Sequence, residues 1–163
     1  MSDNLDLIEQ VKRLTERLGT LEDQHSLRTL RHRLPRRIND GQWHRVGELF
    51  SETAFLDYGE LGRAEGRPAI ERYFAALPEL IENSGPASGA LVKQFVHAHD
   101  VQIEGDRATG VSFFEEKVVF DTESTMVAGK FVDSYVREGD RWLFSRIELE
   151  LYWAIPYPRG WQR

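Results

Sequence analysis

The 163-residue chain contains no cysteine. This absence excludes a disulfide framework, a thiolate nucleophile and a metal site with cysteine ligands. It fits a reducing compartment, and we therefore expect a cytoplasmic location. The chain also lacks a G-x-S-x-G nucleophile turn, a phosphate-binding loop and a dinucleotide fingerprint, so the sequence offers no sign of a Ser-His-Asp triad or of a nucleotide cofactor.

Long apolar runs and an excess of basic charge are missing as well. No apolar stretch reaches the ~20 residues of a membrane-spanning helix, and the opening MSDNLDLIEQV lacks the apolar core of a secretory signal. Lys and Arg number 21 against 27 Asp and Glu, which gives a net charge of -6. A nucleic-acid partner would need clustered basic charge. We therefore expect neither a nucleic-acid partner nor a membrane partner.

One local run of arginines departs from this acidic balance. Acidic residues stand close to it, so the pattern indicates a solvated helix face. Its members are Arg28, Arg31, Arg33, Arg36 and Arg37.

The N-terminal segment carries a heptad pattern of aliphatic residues. The spacing alternates between four and three over about two heptads, which is typical of an amphipathic helix and is short for a coiled coil. The helix either lies on its own domain or packs against a second copy, and the sequence leaves both open. The residues are Leu7, Val11, Leu14, Leu18 and Leu21.

Glycine and proline divide the predicted helical region. Gly19 predicts a break, so residues 1–19 form an N-terminal helical extension and residues 20–163 a single domain. Pro35 removes a helical hydrogen bond, so the second helix should kink or end near Leu34. Trp43–Phe50 is predicted as a short third helix.

The second half of the chain changes to the period of strands. A short strand at Ala54–Asp57 and a helix from Pro68 come first. Glycine and acidic residues in tight connections predict antiparallel hairpins between four long strands. Helices followed by a hairpinned sheet are typical of an α+β domain. The four predicted strands are Ala90–Glu104, Arg107–Phe120, Gly129–Arg137 and Trp142–Trp153.

Several short sequence words occur in the order found in one fold family. They include Asp40-Gly41-Gln42-Trp43, Glu65-Gly66-Arg67-Pro68-Ala69-Ile70 and Pro156-Tyr157-Pro158-Arg159-Gly160-Trp161. Together they resemble the SnoaL-like branch of the NTF2-like superfamily, over about residues 20–163. The resemblance implies a cone: a curved antiparallel sheet of four to six strands, closed by the N-terminal helices around an apolar pocket. It also implies a homodimer or homotrimer through the outer face of the sheet. The fold hosts many reactions, so it does not by itself specify one.

The resemblance also suggests where to look for a site. Dehydratase-like relatives use an Asp–His pair, and these positions fall on Asn39 and Gln94 in this chain. Amides have no useful pKa near neutrality, so they can hold a ligand but cannot act as bases. If the alignment is shifted by a residue, Asp40 and His97 are the substitute pair.

Other candidates come from strand alternation and from the turn after the short strand. His97 and His99 should share a face on the outer side, unless a bulge intervenes. Glu150 would be a base if it faced the pocket, and would otherwise pair with Arg at the surface. Asp57 would act as a base beside Tyr58 as an oxyanion donor, or would only cap the turn. Further pocket-lining candidates are Trp43, Phe74, Phe113 and Trp153.

Two functions from different classes remain open at this point. The first is a lyase, isomerase or polyketide cyclase type of enzyme that transfers protons on a small hydrophobic molecule, with no cofactor and no metal. The second is a ligand-binding or dimeric scaffold module without catalysis. Amides at Asn39 and Gln94 favour the second, whereas the resemblance favours the first.

Overall fold

The computed structural model describes residues 2–84, 91–119 and 124–157. A short 3-10 helix, Trp43–Leu49, and a 3-10 turn, Gly59–Leu61, lie among the regular elements. No helix in these described ranges is both long and apolar enough to cross a membrane. The helices are α1 (Ser2–Asn39) and α2 (Arg67–Ser84), and the strands are β1 (Phe50–Asp57), β2 (Arg63–Glu65), β3 (Leu91–Glu104), β4 (Arg107–Val119), β5 (Ser124–Glu138) and β6 (Arg141–Tyr157).

The six strands form one curved sheet that does not close into a barrel. Their order is β2-β1-β6-β5-β4-β3, and every neighbouring pair is antiparallel except β1 with β6. The tight turns after β3 and β5 place Gly105 and Gly139 at φ of 62° and 60°, which glycine adopts without strain. The predicted α+β cone with an antiparallel sheet is confirmed.

The break predicted at Gly19 does not occur in α1, and of the two alternatives predicted near Leu34, a kink or an end, the end does not occur either. The helix runs without interruption from Ser2 to Asn39. A glycine in a helix interior costs only about 1 kcal/mol relative to alanine. Around Pro35, the buried side chains of Leu34 and Ile38 hold the helix on the sheet, and this packing offsets the lost hydrogen bond.

Strands β5 and β6 are longer than their sequence pattern indicates. The connection left between the predicted strands that end at Phe120 and begin at Gly129 lies partly in β5, which begins at Ser124. The first residues of β5 pair with the end of β6, for example Met126 with Ile155. Backbone pairing therefore extends both strands past the region where side chains alternate clearly.

The core lies on the concave face of the sheet, beneath the two helices. The C-terminal half of α1 packs on β3, and α2 packs on β1 and the short 3-10 helix. Phe50 joins the layers, since its ring lies 5.3 Å from that of Phe144 and 6.3 Å from that of Phe74. This packing leaves part of the concave face uncovered between α2 and strands β3 to β6.

Candidate functional site

An apolar cavity of about 430 Å³ opens between α2 and the concave face of the sheet. Leu61, Leu80 and Leu151 line it and are also exposed, so they mark its mouth. A small cavity with apolar walls and few polar groups is the usual form of a small-molecule site. The lining residues are Ile38, Trp43, Tyr58, Leu61, Tyr73, Phe74, Leu77, Leu80, Ile81, Gln94, Phe114, Glu116, Val118, Thr125, Val127, Phe131, Leu149, Leu151 and Ala154.

Glu116 contributes the only carboxyl group among the described residues of this lining. It follows Phe114 and precedes Val118 on the inward face of β4, so strand alternation turns its side chain into the cavity. Gln94 on β3 is its register partner and donates a hydrogen bond of 3.0 Å from Nε2 to Oε2 of Glu116. Burial raises the pKa of Glu116, and the hydrogen bond from Gln94 opposes that rise.

Two tyrosines add hydroxyl groups to the cavity. The Tyr73 hydroxyl donates a hydrogen bond of 3.0 Å to the carbonyl oxygen of Leu61, while the buried Tyr58 hydroxyl has no partner among the described residues. Burial raises the pKa of Tyr73 to about 12, and the charge of Glu116 adds to the rise. Burial also raises the pKa of Tyr58. Both hydroxyls therefore stay protonated at neutral pH. Tyr73 donates its proton to Leu61, whereas the proton of Tyr58 has no acceptor among the described residues.

The two amide positions play different parts. Gln94 lines the cavity, and its Oε1 atom is buried without a described partner. Asn39 lines a smaller neighbouring pocket of about 140 Å³. Its Nδ2 atom donates to the backbone oxygen of Gln94 at 2.8 Å, and its Oδ1 atom accepts from the backbone N–H of Gln94 at 2.7 Å. Through these two hydrogen bonds, Asn39 links the end of α1 to β3.

Neither aspartate candidate lies in the cavity. Asp40 is exposed, with its carboxylate 3.8 Å from the Arg36 guanidinium. Asp57 accepts hydrogen bonds of 2.9 Å from Arg63 and from the backbone N–H of Gly59, so it caps the turn after β1. These bonds lower the pKa of Asp57, Arg63 contributing most. Of the predicted pair Asp57 and Tyr58, the structure brings only Tyr58 to the cavity.

The bulge that was the stated exception for His97 and His99 does occur in β3, at Ala98, so the two histidines do not share a face. The register with β4 shifts between the two histidines, and Ala98 adopts a φ of 44°. An extra residue in a strand reverses the faces that follow it. His97 therefore remains exposed, 3.8 Å from Glu115, whereas His99 turns into the protein interior and is buried.

Three further candidates lie outside the cavity. Glu150 is on the outer face and forms a 3.0 Å ion pair with Lys130. Phe113 is 43% exposed on the outer face of β4. Trp153 is 50% exposed. A register shift in the β5–β6 pairing places Ala154, and not Trp153, on the face that lines the cavity. Trp43 and Phe74, by contrast, do line the cavity.

A second polar cluster, fully buried, lies behind the cavity wall. Arg31 has no exposed surface, so the predicted solvated face of the arginine run does not include this position. Its Nη1 atom lies 3.4 Å from Oδ1 of Asp133, and its guanidinium stacks 3.9 Å from the ring centre of Phe131. Since Phe131 also lines the cavity, its ring is the partition between the cavity and the buried cluster.

A chain of hydrogen bonds continues from Asp133 to His99. The Tyr135 hydroxyl donates to Oδ2 of Asp133 at 2.8 Å and lies 2.9 Å from Nε2 of His99. Because its proton is directed to Asp133, Tyr135 accepts from the Nε2–H of a neutral imidazole. Burial lowers the pKa of His99 to about 4, and Arg31 adds to the effect. Burial raises the pKa of Asp133, while Arg31 and Tyr135 oppose the rise.

Metal-ligand geometry is not found in either polar region. Within residues 2–84, 91–119 and 124–157, no three His, Asp or Glu side chains group closely enough to hold a metal ion. The polar groups of the cavity are instead one carboxyl, one amide and hydroxyls, a set suited to hydrogen bonding and proton transfer.

Residues 19–148 match the family model of the SnoaL-like domain. The chain belongs to the SnoaL-like family. The match covers most of the chain, including Asn39, Gln94 and Glu116. A search of the curated proteins finds no match for this SnoaL-like protein.

Solved structures share the fold of this SnoaL-like protein at low sequence identity. A scytalone dehydratase-like protein from Novosphingobium aromaticivorans is 16% identical, with a TM-score of 0.71 over 88% of this chain and 97% of its own. The hexachlorocyclohexane dehydrochlorinase LinA-type3 from Novosphingobium barchaimii is 13% identical, with a TM-score of 0.75 over 90% and 97%. An NTF2-like protein with a cystatin-like fold, from Novosphingobium aromaticivorans, is 22% identical, with a TM-score of 0.70 over 85% and 88%.

Glu116 and the residues of the buried cluster other than His99 were not among the site residues predicted from the sequence. A signal for Glu116 was present: two adjacent glutamates in an alternating strand must point to opposite faces, so one of Glu115 and Glu116 had to turn inward. The buried cluster gave a weaker signal. The inward position of His99 depends on the bulge at Ala98, which the sequence does not mark with glycine.

Proposed function

We propose that this SnoaL-like protein binds a small apolar molecule carrying a carbonyl or hydroxyl oxygen, and transfers a proton on it with Glu116. The reaction class is that of a dehydratase, isomerase or cyclase. The observation that carries the proposal is a single carboxyl group in the described wall of an otherwise largely apolar cavity. Two fold neighbours are named for dehydration and dehydrochlorination, and both are eliminations that remove a proton.

Glu116 has the properties of a base for this chemistry. Burial raises its pKa above the ordinary value, which strengthens its carboxylate as a proton acceptor. The hydrogen bond from Gln94 Nε2 fixes one carboxylate oxygen and leaves the other available. Glu116 would take a proton from a carbon next to the carbonyl group of the bound molecule. Return of this proton from Glu116 to another carbon gives isomerisation. Its transfer to a departing hydroxyl group releases water and gives dehydration.

Tyr58 and Gln94 supply the groups that recognise oxygen. The Tyr58 hydroxyl is protonated, buried and without a described partner, so it can donate to an oxygen that gains negative charge. The free Oε1 atom of Gln94 can accept from a hydroxyl of the ligand. A pure hydrocarbon would leave both groups unsatisfied, which costs about 1–3 kcal/mol for each buried group. An oxygenated ligand is therefore favoured.

Hydrogen–deuterium exchange tests the reaction without knowledge of the product. Small polycyclic and aromatic ketones that raise the melting temperature are incubated with the protein in D₂O, and deuterium beside the carbonyl is followed by NMR. Wild type should exchange, and Glu116→Gln should lose exchange while retaining binding. Glu115→Gln is the matched control, because Glu115 is the outward-facing neighbour on β4. Equal exchange by wild type and Glu116→Gln would overturn the role of Glu116.

A non-catalytic binding module is the second candidate. The positions of the Asp–His pair of relatives hold amides, and Asn39 is fully engaged with the backbone of Gln94. This candidate predicts a melting shift with no exchange above the buffer rate for any ligand. A shift that disappears in Tyr58→Phe would still locate the ligand in the cavity.

A further inference from the structure

The N-terminal half of α1 carries an apolar stripe that nothing in the described chain covers. Five aliphatic side chains on it are between 54 and 63% exposed, so the helix does not bury this stripe on its own domain. A contiguous exposed apolar surface usually marks an interaction site. The stripe consists of Leu7, Val11, Leu14, Leu18 and Leu21.

The stripe points away from the body of the protein. At 3.6 residues per turn, it lies roughly 180° around the axis of α1 from the buried side chains Leu27, Leu34 and Ile38. The helix is continuous between the two sets. The same helix therefore places one apolar face on its own sheet and directs the other outward, away from the described part of the chain.

Asp23 fixes the helix at the point where the stripe ends. Its carboxylate accepts hydrogen bonds from Arg137 and, at 3.0 Å, from Nε1 of Trp142. Trp142 is buried at the start of β6. This attachment holds the helix in one direction before any partner binds, which reduces the ordering cost of association.

The choice of aliphatic residues matches one kind of partner. In a heptad, Leu7, Leu14 and Leu21 occupy d positions, and Val11 and Leu18 occupy a positions. Leucine at d with a β-branched residue at a favours two parallel strands, and Val11 meets this condition whereas Leu18 at the other a position does not. The stripe is thus self-complementary in a parallel pair, in which each residue meets its own copy.

The flanking charges support the same arrangement. Arg17 falls at g and Glu22 at the following e, positions that face each other across a parallel pair of helices. Neither takes part in an ion pair within the described part of the chain. In an antiparallel pair, Glu22 would instead meet the apolar Ile8 of the other copy. The pairing of Arg17 with Glu22 therefore favours the parallel orientation over the antiparallel one.

From these observations we infer that Leu7–Leu21 forms a parallel two-stranded coiled coil with the same segment of a second copy. Two heptads are marginal for an isolated helix pair. The attachment of α1 through Asp23 supplies the missing pre-organisation. This inference is independent of the cavity and of the proposed reaction.

Cysteine cross-linking of the full chain tests the pairing and its direction. The natural sequence has no cysteine, so a single introduced thiol reports one contact. Leu21→Cys should form a covalent dimer on mild oxidation, because the two d positions meet in a parallel pair. Glu9→Cys is the matched control at an f position on the opposite side of the helix. An assembly through another surface gives no preference for position 21 over position 9.

Two further variants complete the test. Leu14→Glu in the Leu21→Cys background should abolish the cross-link, while circular dichroism and the melting transition show that the domain remains folded. Mixing Leu7→Cys with Leu21→Cys should give no more mixed dimer than either gives with itself. Cross-linking of Leu21→Cys no greater than that of Glu9→Cys would overturn the inference. A cross-link confined to the Leu7→Cys and Leu21→Cys mixture would overturn the parallel orientation.

Discussion

The side-chain amide of Gln94 and the carboxylate of Glu116 face each other across two paired strands and share a hydrogen bond of 3.0 Å. The bond stabilises the ionised carboxylate, whereas burial stabilises its protonated form. Opposing influences of this kind occur where a carboxyl group must both hold and release a proton. The pair is therefore the first place to test the chemistry of the cavity.

Replacement of Glu116 by glutamine should change how stability depends on pH. Because the pKa of Glu116 is raised in the folded state, the native protein keeps this proton to higher pH than the unfolded chain does. The free energy of unfolding of wild type should therefore fall, relative to Glu116→Gln, as pH rises above the ordinary value of 4.5. Urea unfolding of both proteins from pH 4.5 to 8 measures the difference. A wild type that gains stability over the variant across this range contradicts the prediction.

Acidification should destabilise the protein through His99. Its pKa is lowered from 6.5 to about 4 in the folded state, so the unfolded chain binds the proton first as pH falls. The contribution of His99 to the free energy of unfolding should drop between pH 6.5 and 4, by on the order of 2 kcal/mol. His99→Gln keeps an N–H donor for Tyr135 but does not titrate. It should lose less stability over the same interval, as followed by urea unfolding, and an equal loss in both proteins would rule out His99 as the cause.

Removal of Arg31 should be costly because it leaves the buried Asp133 without its charged partner. The two side chains are fully buried and 3.4 Å apart. Loss of one member of a buried ion pair typically costs about 3–5 kcal/mol. Arg31→Met should show a loss of this size in chemical denaturation. Arg31→Met with Asp133→Asn should recover part of it, and strict additivity of the two single changes would show that the residues do not interact.

Asn39 should contribute to stability through its two bonds to the backbone of Gln94. Asn39→Ala removes both and should cost about 2 kcal/mol, at roughly 1 kcal/mol for each bond. Asn39→Asp keeps the acceptor but sets a carboxylate against the backbone oxygen of Gln94. It should therefore be less stable than wild type at neutral pH and recover as the carboxyl group protonates. Thermal unfolding at pH 7 and pH 4 separates these outcomes. If Asn39→Ala were as stable as wild type, the two hydrogen bonds of Asn39 would not contribute to stability.

Much of the fold followed from periodicity and turn chemistry. Strand alternation and the glycines at 105 and 139 located the hairpins of the meander, and the structure confirms the α+β cone. The extent of α1 was not predicted correctly from the sequence. Local helix propensity at Gly19 and Pro35 is weaker than the packing of the helix on the sheet. Local sequence rules therefore described the elements better than their boundaries.

The candidate site was less accessible to sequence reasoning, for a geometric reason. The direction of a side chain on a strand depends on register, and one extra residue reverses it. The bulge at Ala98 moved His99 inward, and the shift near Leu151 moved Trp153 outward. Glu116 was identifiable in principle from its place beside Glu115, yet choosing between them required the register of β4.

The bulge at Ala98 has a consequence for how β3 is used along its length. It separates β3 into a portion that serves the cavity through Gln94 and a portion that serves the buried cluster through His99. A substitution at Gln94 alters the cavity without removing a hydrogen bond of the buried cluster, while Phe131 is the partition shared by the two regions. A single strand therefore divides its length between the ligand cavity and the support of the domain.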